Sequence, residues 1–496
     1  MNVNTFDVIV VGASNAGGFA TAAAAENGAK VLCIDKMSNA DHLYRNTLGS
    51  INSNSQKRAG VNIDKNKIVQ YLTAFTQDNV DQRLLWAWAN HSGETMNWLE
   101  EKVLKPQGIH LYSYTDAYYE TLINMAFPTA NEITRDNKSW ARGWGKYVID
   151  YDQKLGAEFK WNTKLEHLLT DNKGRVIGVE VKDRKTNEIS HIHATKGVVL
   201  ATGGYGANTA LIQKWNPTLL KKCVATKSPR DDGSGQIAAM EVGAARDDEG
   251  ASIIFDRGAV APGTNIKDTY YIGWDAKMLT LGSFPFLKVN LKGKRFFNES
   301  APYQFEMNAN MHQPGNLDIA IFNKNTMNHL KDFHTLGCSR VGWPGGNDMA
   351  SFKKKLQENL DRGIAVKANT IEELAEKLCI PKETLVSTVK RYNEMVHKGV
   401  DTEFGKEKYR LFPVEGAPYY GITFGGVLLA TFDGLHINDH MEVLNENYNP
   451  IKGLYAAGNC SGGFFWGSYE DRLPGLAAGH ATTFGRLAGK YVVKEN

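Results

Sequence analysis

The first apolar run of the chain, residues 7–11, is followed by a glycine turn, a stretch of small residues and a second apolar run that ends at Asp35. This pattern predicts a strand, a tight turn, a helix and a second strand. Gly12 would permit the sharp turn, and Gly17 would let the helix pack closely against the sheet. The N–H groups at the start of the helix would face a pyrophosphate, and Asp35 would bind ribose hydroxyls. The segment therefore indicates a dinucleotide-binding unit, although Ser14 replaces the second glycine of the usual motif.

Two later apolar runs, at residues 197–202 and 453–457, also lead directly into glycine turns. Continuous apolar runs of this length are typical of buried strands, so both are predicted to join the same sheet as the first unit. A closing helix is predicted over residues 474–493, with a proline near its first turn. The sheet is therefore built from distant parts of the chain.

Residues 259–413 differ from their surroundings in their dense aromatic residues and in a predicted pair of helices at 371–378 and 381–398. We interpret this stretch as an inserted α+β domain. The predicted fold class is α/β, with a Rossmann-like nucleotide-binding domain that is split in sequence into residues 1–258 and 414–496.

Aromatic residues recur at helical spacing between residues 67 and 104, which is more typical of core packing than of a cofactor site. Hairpin strands are predicted at 165–181 and 188–201. His191 and His193 alternate along the second of these segments. This spacing could indicate a metal pair, but it is more typical of the solvated face of a strand, and no metal site is predicted.

Composition excludes several classes of function. The chain of 496 residues exceeds one typical core, and its 57 basic and 54 acidic residues leave a net charge of +3. This charge gives no reason to expect nucleic acid or an anionic membrane as a partner, so a small substrate is expected. The five cysteines form no C-x-x-C pair, which argues against iron–sulfur clusters, attached haem and a disulfide framework. Neither a signal peptide nor a membrane-spanning apolar run is visible, so a cytoplasmic protein without membrane insertion is expected.

With these segments in place, the chain resembles, nearly end to end, the flavoprotein superfamily of fumarate reductase, urocanate reductase and 3-ketosteroid dehydrogenase. The resemblance is carried by four motifs in order: the Gly12 turn with Asp35, residues 201–208, residues 289–299, and residues 453–459 followed by 483–489. It implies an FAD-binding domain that is interrupted by a mobile cap domain, with the substrate clamped between the cap and the flavin ring.

The resemblance also implies which residues bind FAD: Gly12, Ser14, Ala16, Gly17, Asp35, Lys36, Asn46, Thr47, Gly49, Ser50, Thr202, Gly203, Gly204, Gly458, Asn459, Gly475 and Leu476. In succinate dehydrogenases, a histidine beside the loop threonine bonds covalently to FAD. Asn46 occupies that place here and His42 is out of register, so noncovalent FAD is expected. Backbone N–H groups of residues 461–463 and of the closing helix are expected to stabilise negative charge at the flavin N1–O2 edge.

Two anchors of the carboxylate-reducing relatives are missing from this chain. In fumarate and urocanate reductases an arginine acts as the acid, and the aligned position in this chain is Gly282. The histidine of their T-M-G-G segment is absent from residues 428–434. A dicarboxylate substrate is therefore not expected. Arg472 aligns with an arginine that grips substrate carboxylate in those reductases, although pairing with local residues is an equal alternative.

Tyr469 resembles, after a gap of two residues, a tyrosine that polarises the substrate carbonyl in 3-ketosteroid dehydrogenases. A phenol is a suitable acid or base where an enolate develops. The alternative role is an aromatic plug that packs on the flavin. Other aromatic residues predicted near the cavity, some of them in the core, are Tyr114, Tyr118, Tyr119, Trp140, Trp144, Tyr270, Tyr271, Trp274, Phe284, Phe286, Phe464, Phe465 and Trp466.

These features favour an FAD-dependent oxidoreductase that transfers hydride from flavin N5 to a conjugated C=C bond. The expected substrate is a bulky, mostly apolar aromatic or steroid-like molecule, such as a hydroxycinnamate or a vinylphenol. Tyr469 would donate the proton and Arg472 would orient the substrate, with Tyr118, Tyr119, Tyr271 and Arg257 in reserve. Electrons would come from a separate donor: NAD(P)H, a reduced flavin or a redox protein. Two alternatives stay open: a ketosteroid-type dehydrogenase that introduces the double bond, and a noncatalytic flavin subunit that carries electrons.

Overall fold

The structure is a computed structural model, and it describes residues 5–39, 44–115, 125–264, 266, 271–272, 278–335, 339–343 and 347–494. The chain forms two compact units. The first unit comprises Met1–Asn208, Arg230–Ser252 and Thr431–Asn496, and the second comprises Thr209–Pro229 and Ile253–Ala430. The domain boundaries given above from the sequence stay a prediction.

The strands are β1 Thr5–Val11, β2 Val31–Ile34, β3 Thr47–Gly49, β4 His110–Tyr112, β5 Ala130–Thr134, β6 Glu158–Lys160, β7 Thr163–Thr170, β8 Val176–Asp183, β9 Ile189–Leu200, β10 Cys223–Thr226, β11 Ala251–Val260, β12 Tyr271–Ile272, β13 Leu287–Asn290, β14 Asp318–Asn323, β15 Ala365–Ala368, β16 Tyr419–Thr431, β17 Glu442–Leu444, β18 Pro450–Ala456 and β19 Gly467–Ser468. The α-helices are α1 Asn15–Glu26, α2 Asn54–Arg58, α3 Lys65–Phe75, α4 Gln82–Trp98, α5 Gly145–Lys154, α6 Thr209–Trp215, α7 Leu219–Lys222, α8 Ser234–Glu241, α9 Tyr303–Asn310, α10 Lys324–Asn328, α11 Met349–Asp361, α12 Ile371–Lys377, α13 Lys382–Lys398 and α14 Leu476–Val492.

The main sheet of the first unit has the strand order β17-β18-β9-β1-β2-β6, and β7 and β8 extend it beside β9. β1 pairs in parallel with both β2 and β9, and β18 pairs in parallel with β9. All three predicted apolar runs therefore join one sheet, as expected from their composition. Buried parallel strands of this kind carry apolar residues on both faces, which is why the runs show no alternation.

Helices α1 and α14 pack closely against each other in the first unit. A Cβ added to Gly485 would lie 2.1 Å from the carbonyl oxygen of Ala16, and one added to Gly489 would lie 2.2 Å from that of Ala20. Small residues along both helices therefore let the two backbones approach. This contact joins the first helix of the chain to the last one.

The predicted helical segment of residues 67–104 consists of α3, α4 and a π-helical turn at Leu99–Leu104. Trp88 is fully buried, as expected for core packing. The first predicted hairpin segment divides into β7 and β8, which pair with each other, and β8 pairs with β9. His191 forms an exposed pair with Glu180 at 2.8 Å, and the described residues contain no cluster that could hold a metal ion.

The second unit contains a mixed sheet with the order β12-β10-β16-β11, to which β13, β14 and β15 are joined through β14 and β16. One of its cores contains six buried phenylalanines: Phe284, Phe286, Phe322, Phe333, Phe352 and Phe424. The predicted helix pair is present as α12 and α13, which bury Leu374 and Leu385 in another core. In the part of the chain that the structure describes, no helix is long and apolar enough to cross a membrane.

Candidate active site

The turn after β1 leaves no room for side chains. Gly12 has a φ of +101°, and a Cβ added there would lie 2.4 Å from the carbonyl oxygen of Ala201. A Cβ added to Gly17 would lie 1.6 Å from the carbonyl oxygen of Gly12. Both positions therefore require glycine, in agreement with the sharp turn and the close helix packing that the sequence predicts.

The first turn of α1 presents polar groups toward this turn. Ser14 is the residue before the helix, and its side chain makes no capping hydrogen bond. The Oδ1 atom of Asn15 accepts a hydrogen bond from the N–H of Arg45 at 3.0 Å. Its buried Nδ2 atom has no hydrogen-bond partner among the described residues. The first N–H groups of any helix also lack partners within the helix, so this end of α1 can bind an anion.

Asp35 and Lys36 at the end of β2 are held by the surrounding chain. The carboxylate of Asp35 accepts hydrogen bonds from the N–H groups of Ala13 at 2.8 Å and Met37 at 2.7 Å. Lys36 forms an ion pair of 2.9 Å with Asp232. A carboxylate has about four acceptor sites, so Asp35 retains capacity for ribose hydroxyls.

The loop of residues 46–50 contacts the start of α14. The N–H of Gly49 donates to the carbonyl oxygen of Gly475 at 2.8 Å, and Gly475 has a φ of +81°. The hydroxyl of Thr47 donates to Glu132 at 2.8 Å, and the hydroxyl of Ser50 donates to Gln56 at 3.1 Å. The buried Oδ1 atom of Asn46 has no hydrogen-bond partner among the residues described.

The glycine turns after β9 and β18 lie beside the first turn. A Cβ on Gly203 would lie 2.7 Å from Asp231 Oδ1, and one on Gly204 would lie 2.2 Å from Thr431 Oγ1. A Cβ on Gly458 would lie 2.9 Å from that of Ala16. The hydroxyl of Thr202 donates to Sγ of Cys460, the residue after Asn459, at 3.3 Å. Leu476 is the first residue of α14. Direct contacts therefore link these predicted nucleotide-binding segments of the first unit.

This region fits a dinucleotide. The glycines at positions 12, 203 and 458 have positive φ angles and lie where a side chain would collide with neighbouring atoms. Among the buried polar atoms that lack partners in the described residues, one donor, Asn15 Nδ2, and one acceptor, Asn46 Oδ1, belong to the predicted FAD-binding segments. A group with phosphates, hydroxyls and ring heteroatoms would satisfy both.

Tyr469 is buried, with 5% of its surface exposed. Its hydroxyl oxygen accepts a hydrogen bond from the N–H of Ala477 at 3.2 Å, in the first turn of α14. Its ring lies 5.9 Å from that of Phe465 and 6.0 Å from that of Phe432. The phenol oxygen therefore lies at the N-terminal end of α14, which is the positive end of the helix dipole.

Arg472 has 8% of its surface exposed, and its Nε atom lies 3.6 Å from Asp471 Oδ1. Its N–H donates to Glu470 at 2.8 Å, and its carbonyl oxygen accepts from the N–H of Phe127 at 3.1 Å. The local pairing anticipated as one alternative is therefore present. Sequence reasoning missed Glu470, whose only signal was its position between the two predicted catalytic residues.

The glycine run of residues 461–463 corrects one expectation. The N–H of Gly462 donates to the carbonyl oxygen of Leu435 at 2.8 Å, and the N–H of Gly463 donates to Asp247 at 3.1 Å. Both groups are therefore already bonded within the protein, so they are not available to the flavin N1–O2 edge. At the start of α14, the N–H groups of Leu476 and Ala477 are bonded as well, to the carbonyl oxygen of Leu473 at 3.1 Å and to the Tyr469 hydroxyl at 3.2 Å, so the role of this helix at the flavin edge stays a prediction.

Among the reserve candidates, Arg257 is the one whose side chain the structure describes. Tyr118 and Tyr119 lie outside the described residues, as do Tyr270, Trp274 and the side chain of Tyr271. Arg257, in the second unit, donates to Ser283 at 2.7 Å, and its guanidinium carbon lies 4.5 Å from the centre of the Phe255 ring. A Cβ on Gly282 would lie 2.0 Å from the carbonyl oxygen of Asp256, so this position holds no larger residue.

The predicted aromatic cavity residues lie in several different environments. Phe284 and Phe286 belong to the phenylalanine core of the second unit, and Trp144 is buried in a core of the first. Trp140 and Trp466 donate hydrogen bonds to Glu132 and Glu249. Phe464 and Phe465 remain near Tyr469, and Tyr114 is buried.

Comparisons with known proteins agree with this site. The FAD binding domain family matches residues 7–472. The chain is 27% identical over 500 residues to a vinyl phenol reductase of Lactiplantibacillus plantarum, with 99% of this chain and 97% of that protein covered. It is 27% identical over 505 residues to a urocanate reductase of Eggerthella lenta, with 97% and 74% covered.

The fold is similar to that of a solved 3-ketosteroid-Δ4-(5α)-dehydrogenase of Rhodococcus jostii RHA1. The TM-score is 0.74 at 23% sequence identity, with 99% of this chain and 97% of that chain covered. Binding of FAD explains both the family match over most of the chain and the glycine cradle. The chain belongs to the FAD binding domain family, and it is an FAD-dependent oxidoreductase of the class that acts on CH–CH and C=C bonds.

Proposed function

We propose that this protein reduces a C=C bond that is conjugated to an aromatic ring or a carbonyl group in a bulky, mostly apolar aromatic substrate. A hydroxycinnamate, a vinylphenol or a similar enone fits this description. The likeness to a vinyl phenol reductase over nearly the whole of both chains supports the substrate class. The backbone at Gly282 supports it as well, because it leaves no space for the arginine that serves as the acid in fumarate and urocanate reductases.

The predicted residues of the first unit would hold noncovalent FAD. The start of α1 and the glycines at positions 12, 203, 204 and 458 would face the dinucleotide, and the loop of residues 46–50 would face the flavin part. Asn46 takes the place of a histidine that could bond to the ring. When bound and reduced, FAD would supply the hydride for one carbon of the double bond.

The single observation that carries the proposal is the position of Tyr469. Its hydroxyl accepts the N–H of Ala477 at the start of α14, and its ring packs against apolar rings. Tyr469 would donate its proton to the second carbon of the double bond, so that the substrate gains one hydride and one proton. The helix N-terminus would stabilise the phenolate that remains.

Arg472 would orient the substrate. Its guanidinium group is largely buried next to Asp471, and its main chain is hydrogen-bonded on both the N–H and the carbonyl side. Burial and the contact with Asp471 restrict the conformations of this long side chain. Electrons would reach the flavin from a separate donor: NAD(P)H, a reduced flavin or a redox protein.

The test is to reduce the purified, FAD-loaded protein with dithionite in the absence of oxygen and to add candidate oxidants one at a time. 4-Vinylphenol, a hydroxycinnamate, fumarate and a 3-ketosteroid would each be followed by the return of the oxidised flavin absorbance. We expect fast reoxidation by the vinylphenol or the hydroxycinnamate and none by fumarate.

Each other result would overturn the proposal. Rapid reoxidation by fumarate would indicate a dicarboxylate reductase. Bleaching of the oxidised enzyme by a saturated 3-ketosteroid would indicate dehydrogenation. A flavin that is reoxidised by no alkene but only by another protein would indicate an electron-carrying subunit.

A further inference from the structure

A buried carboxyl group that the proposed mechanism does not use lies between the two candidate catalytic residues. Glu470 has 2% of its surface exposed. Its Oε1 atom accepts a hydrogen bond from the N–H of Arg472 at 2.8 Å, and its Oε2 atom accepts one from the hydroxyl of Tyr71 at 2.9 Å. Both oxygens are therefore bonded to different parts of the first unit.

Tyr71 belongs to α3 and is half-buried. Its ring lies 5.6 Å from that of Phe127, and the N–H of Phe127 donates to the carbonyl oxygen of Arg472 at 3.1 Å. Glu470, Tyr71, Phe127 and the main chain of Arg472 thus form a closed ring of contacts, which we call the Glu470 clamp. The clamp holds Arg472 on both sides of its backbone.

The charged and titratable groups around Glu470 are Tyr71, Asp471 and Arg472. Burial, and after it the charge of Asp471, raise the pKa of Glu470 to about 8, against the lowering effects of the Arg472 N–H and charge and of the Tyr71 hydroxyl. The carboxyl group is consequently protonated at neutral pH. Ionisation would place a second negative charge beside Asp471 in a buried site, which is unfavourable.

We propose that Glu470 is a positioning residue for the reaction: through the Glu470 clamp it fixes the segment Tyr469–Arg472, so that the phenol and the guanidinium keep their places. Glu470 itself does not touch the substrate. The two hydrogen bonds of the clamp are donated to Glu470 and favour its ionised form, but burial and the charge of Asp471 outweigh them, so ionisation of Glu470 destabilises the clamped segment. This inference rests on the proposed function, because the roles of Tyr469 and Arg472 do.

The activity test uses the pH profile of flavin reoxidation by the best alkene. The wild-type rate is expected to fall as the pH rises through about 8, where Glu470 ionises. The variant Glu470→Gln keeps the shape of the neutral carboxyl and cannot ionise, so its rate should stay within about threefold of the wild type at pH 6 and should show no fall at this point. Exposed Glu188→Gln is the matched control and should keep the wild-type profile.

A second variant checks the direction of the effect. Tyr71→Phe removes a hydrogen bond that lowers the pKa of Glu470. The fall in rate should therefore move to higher pH in this variant, whereas a purely structural role of Tyr71 would lower the rate at all pH values without moving the fall. An unshifted fall in Tyr71→Phe, or a fall that persists in Glu470→Gln, would overturn the proposal.

A third measurement is independent of any substrate. Because the pKa of Glu470 is higher in the folded protein than in the unfolded chain, its contribution to stability is fully present below pH 4.5 and is lost as the pH rises through about 8. The melting temperature of the wild type should accordingly fall relative to that of Glu470→Gln between pH 5 and pH 8. A pH-independent difference would overturn the clamp itself, whereas the expected difference without any active alkene would overturn only the proposed function.

Discussion

At the scale of single residues, several side chains expected to serve a ligand also hold the protein together. Asp35 binds the N–H groups of Ala13 and Met37, Thr47 donates to Glu132, and Tyr469 accepts the N–H of Ala477. Each of these bonds aims the side chain before a ligand arrives. Such preorganisation reduces the reorganisation needed during the reaction.

Tyr469→Phe should separate chemistry from cofactor binding. Loss of the phenol proton should slow reoxidation of the reduced flavin by the alkene about 100-fold or more, because a positioned acid typically contributes about 10² to 10⁴ in rate. FAD content and the flavin spectrum should stay unchanged. Stopped-flow absorbance would measure the rate, with exposed Tyr448→Phe as control. A variant with near-normal turnover would show that Tyr469 is not the proton donor.

A buried network near the site depends on another tyrosine. Asp433 is fully buried, accepts hydrogen bonds from the hydroxyl of Tyr205 and from Ala251, and pairs with Arg246 at 2.6 Å. Burial raises the pKa of Asp433 to about 7. The network connects the turn after β9 to the segment that follows β16.

Tyr205→Phe should lower the free energy of unfolding by about 1 to 3 kcal/mol, because it removes a donor from a buried acceptor. Urea denaturation followed by tryptophan fluorescence would measure this loss. Tyr448→Phe again provides the control, since Tyr448 is 70% exposed. Equal stability of the two variants would contradict a structural role for the Tyr205 hydroxyl.

At the scale of elements, the contact of α1 with α14 determines how the nucleotide site is assembled. A Cβ added to Gly17 in α1 would lie 1.6 Å from the carbonyl oxygen of Gly12, and one added to Gly485 in α14 would lie 2.1 Å from that of Ala16. The first turn of α1 and the first turn of α14 both contribute to the predicted FAD site. A change that moves α1 and α14 apart should therefore weaken both FAD binding and the stability of the fold.

Gly485→Ala should destabilise the protein by about 1 to 3 kcal/mol or more, because the added methyl group must push two helices apart. FAD retention during gel filtration should fall as well. In Gly28→Ala the new Cβ would meet nothing within 4 Å, so only the cost of its φ of +82°, about 1 kcal/mol, is expected, with FAD retained. FAD retention by Gly485→Ala equal to that of Gly28→Ala would argue against the importance of this contact.

At the scale of the whole molecule, the predicted FAD site of the first unit draws on residues from both ends of the chain. Segments around residues 12, 47, 203 and 458 and the start of α14 are linked by direct contacts. A ligand that bridges these segments binds only the folded state. Cofactor binding should therefore stabilise the fold.

The melting temperature of the apoprotein should rise with added FAD, and the gain in stability should reach about 2.7 kcal/mol at 100 times the Kd. Acid denaturation should release all flavin into the supernatant, because Asn46 provides no covalent link. Differential scanning fluorimetry and the absorbance of the supernatant would measure the two effects. Flavin that stays with the precipitate would contradict noncovalent binding, and a colourless protein without a thermal shift would contradict the proposed cofactor residues.

The local signals in the sequence were sufficient for the Rossmann-like unit. An apolar run, Gly12, small residues and Asp35 are neighbours along the chain, and strand, turn and helix depend on interactions over few residues. The apolar runs before Gly203 and Gly458 also predict their place in the sheet, because short continuous apolar runs are typical of strands that are buried on both faces. The helix pair of the second unit is confirmed for the same local reason.

Other properties depended on contacts that composition does not reveal. The N–H groups of Gly462 and Gly463 are bonded to Leu435 and Asp247, and Phe284 and Phe286 lie in a core. The hydrogen bond between Glu470 and Tyr71 joins residues that are 399 positions apart in sequence, so the sequence alone did not reveal it. The sequence by itself determined the helices and strands of the nucleotide-binding unit and the class of cofactor, because both depend on residues that are neighbours along the chain. Tertiary structure decided which polar groups remain available for chemistry, because hydrogen-bond partners and burial are set by chain segments that meet only in the folded molecule.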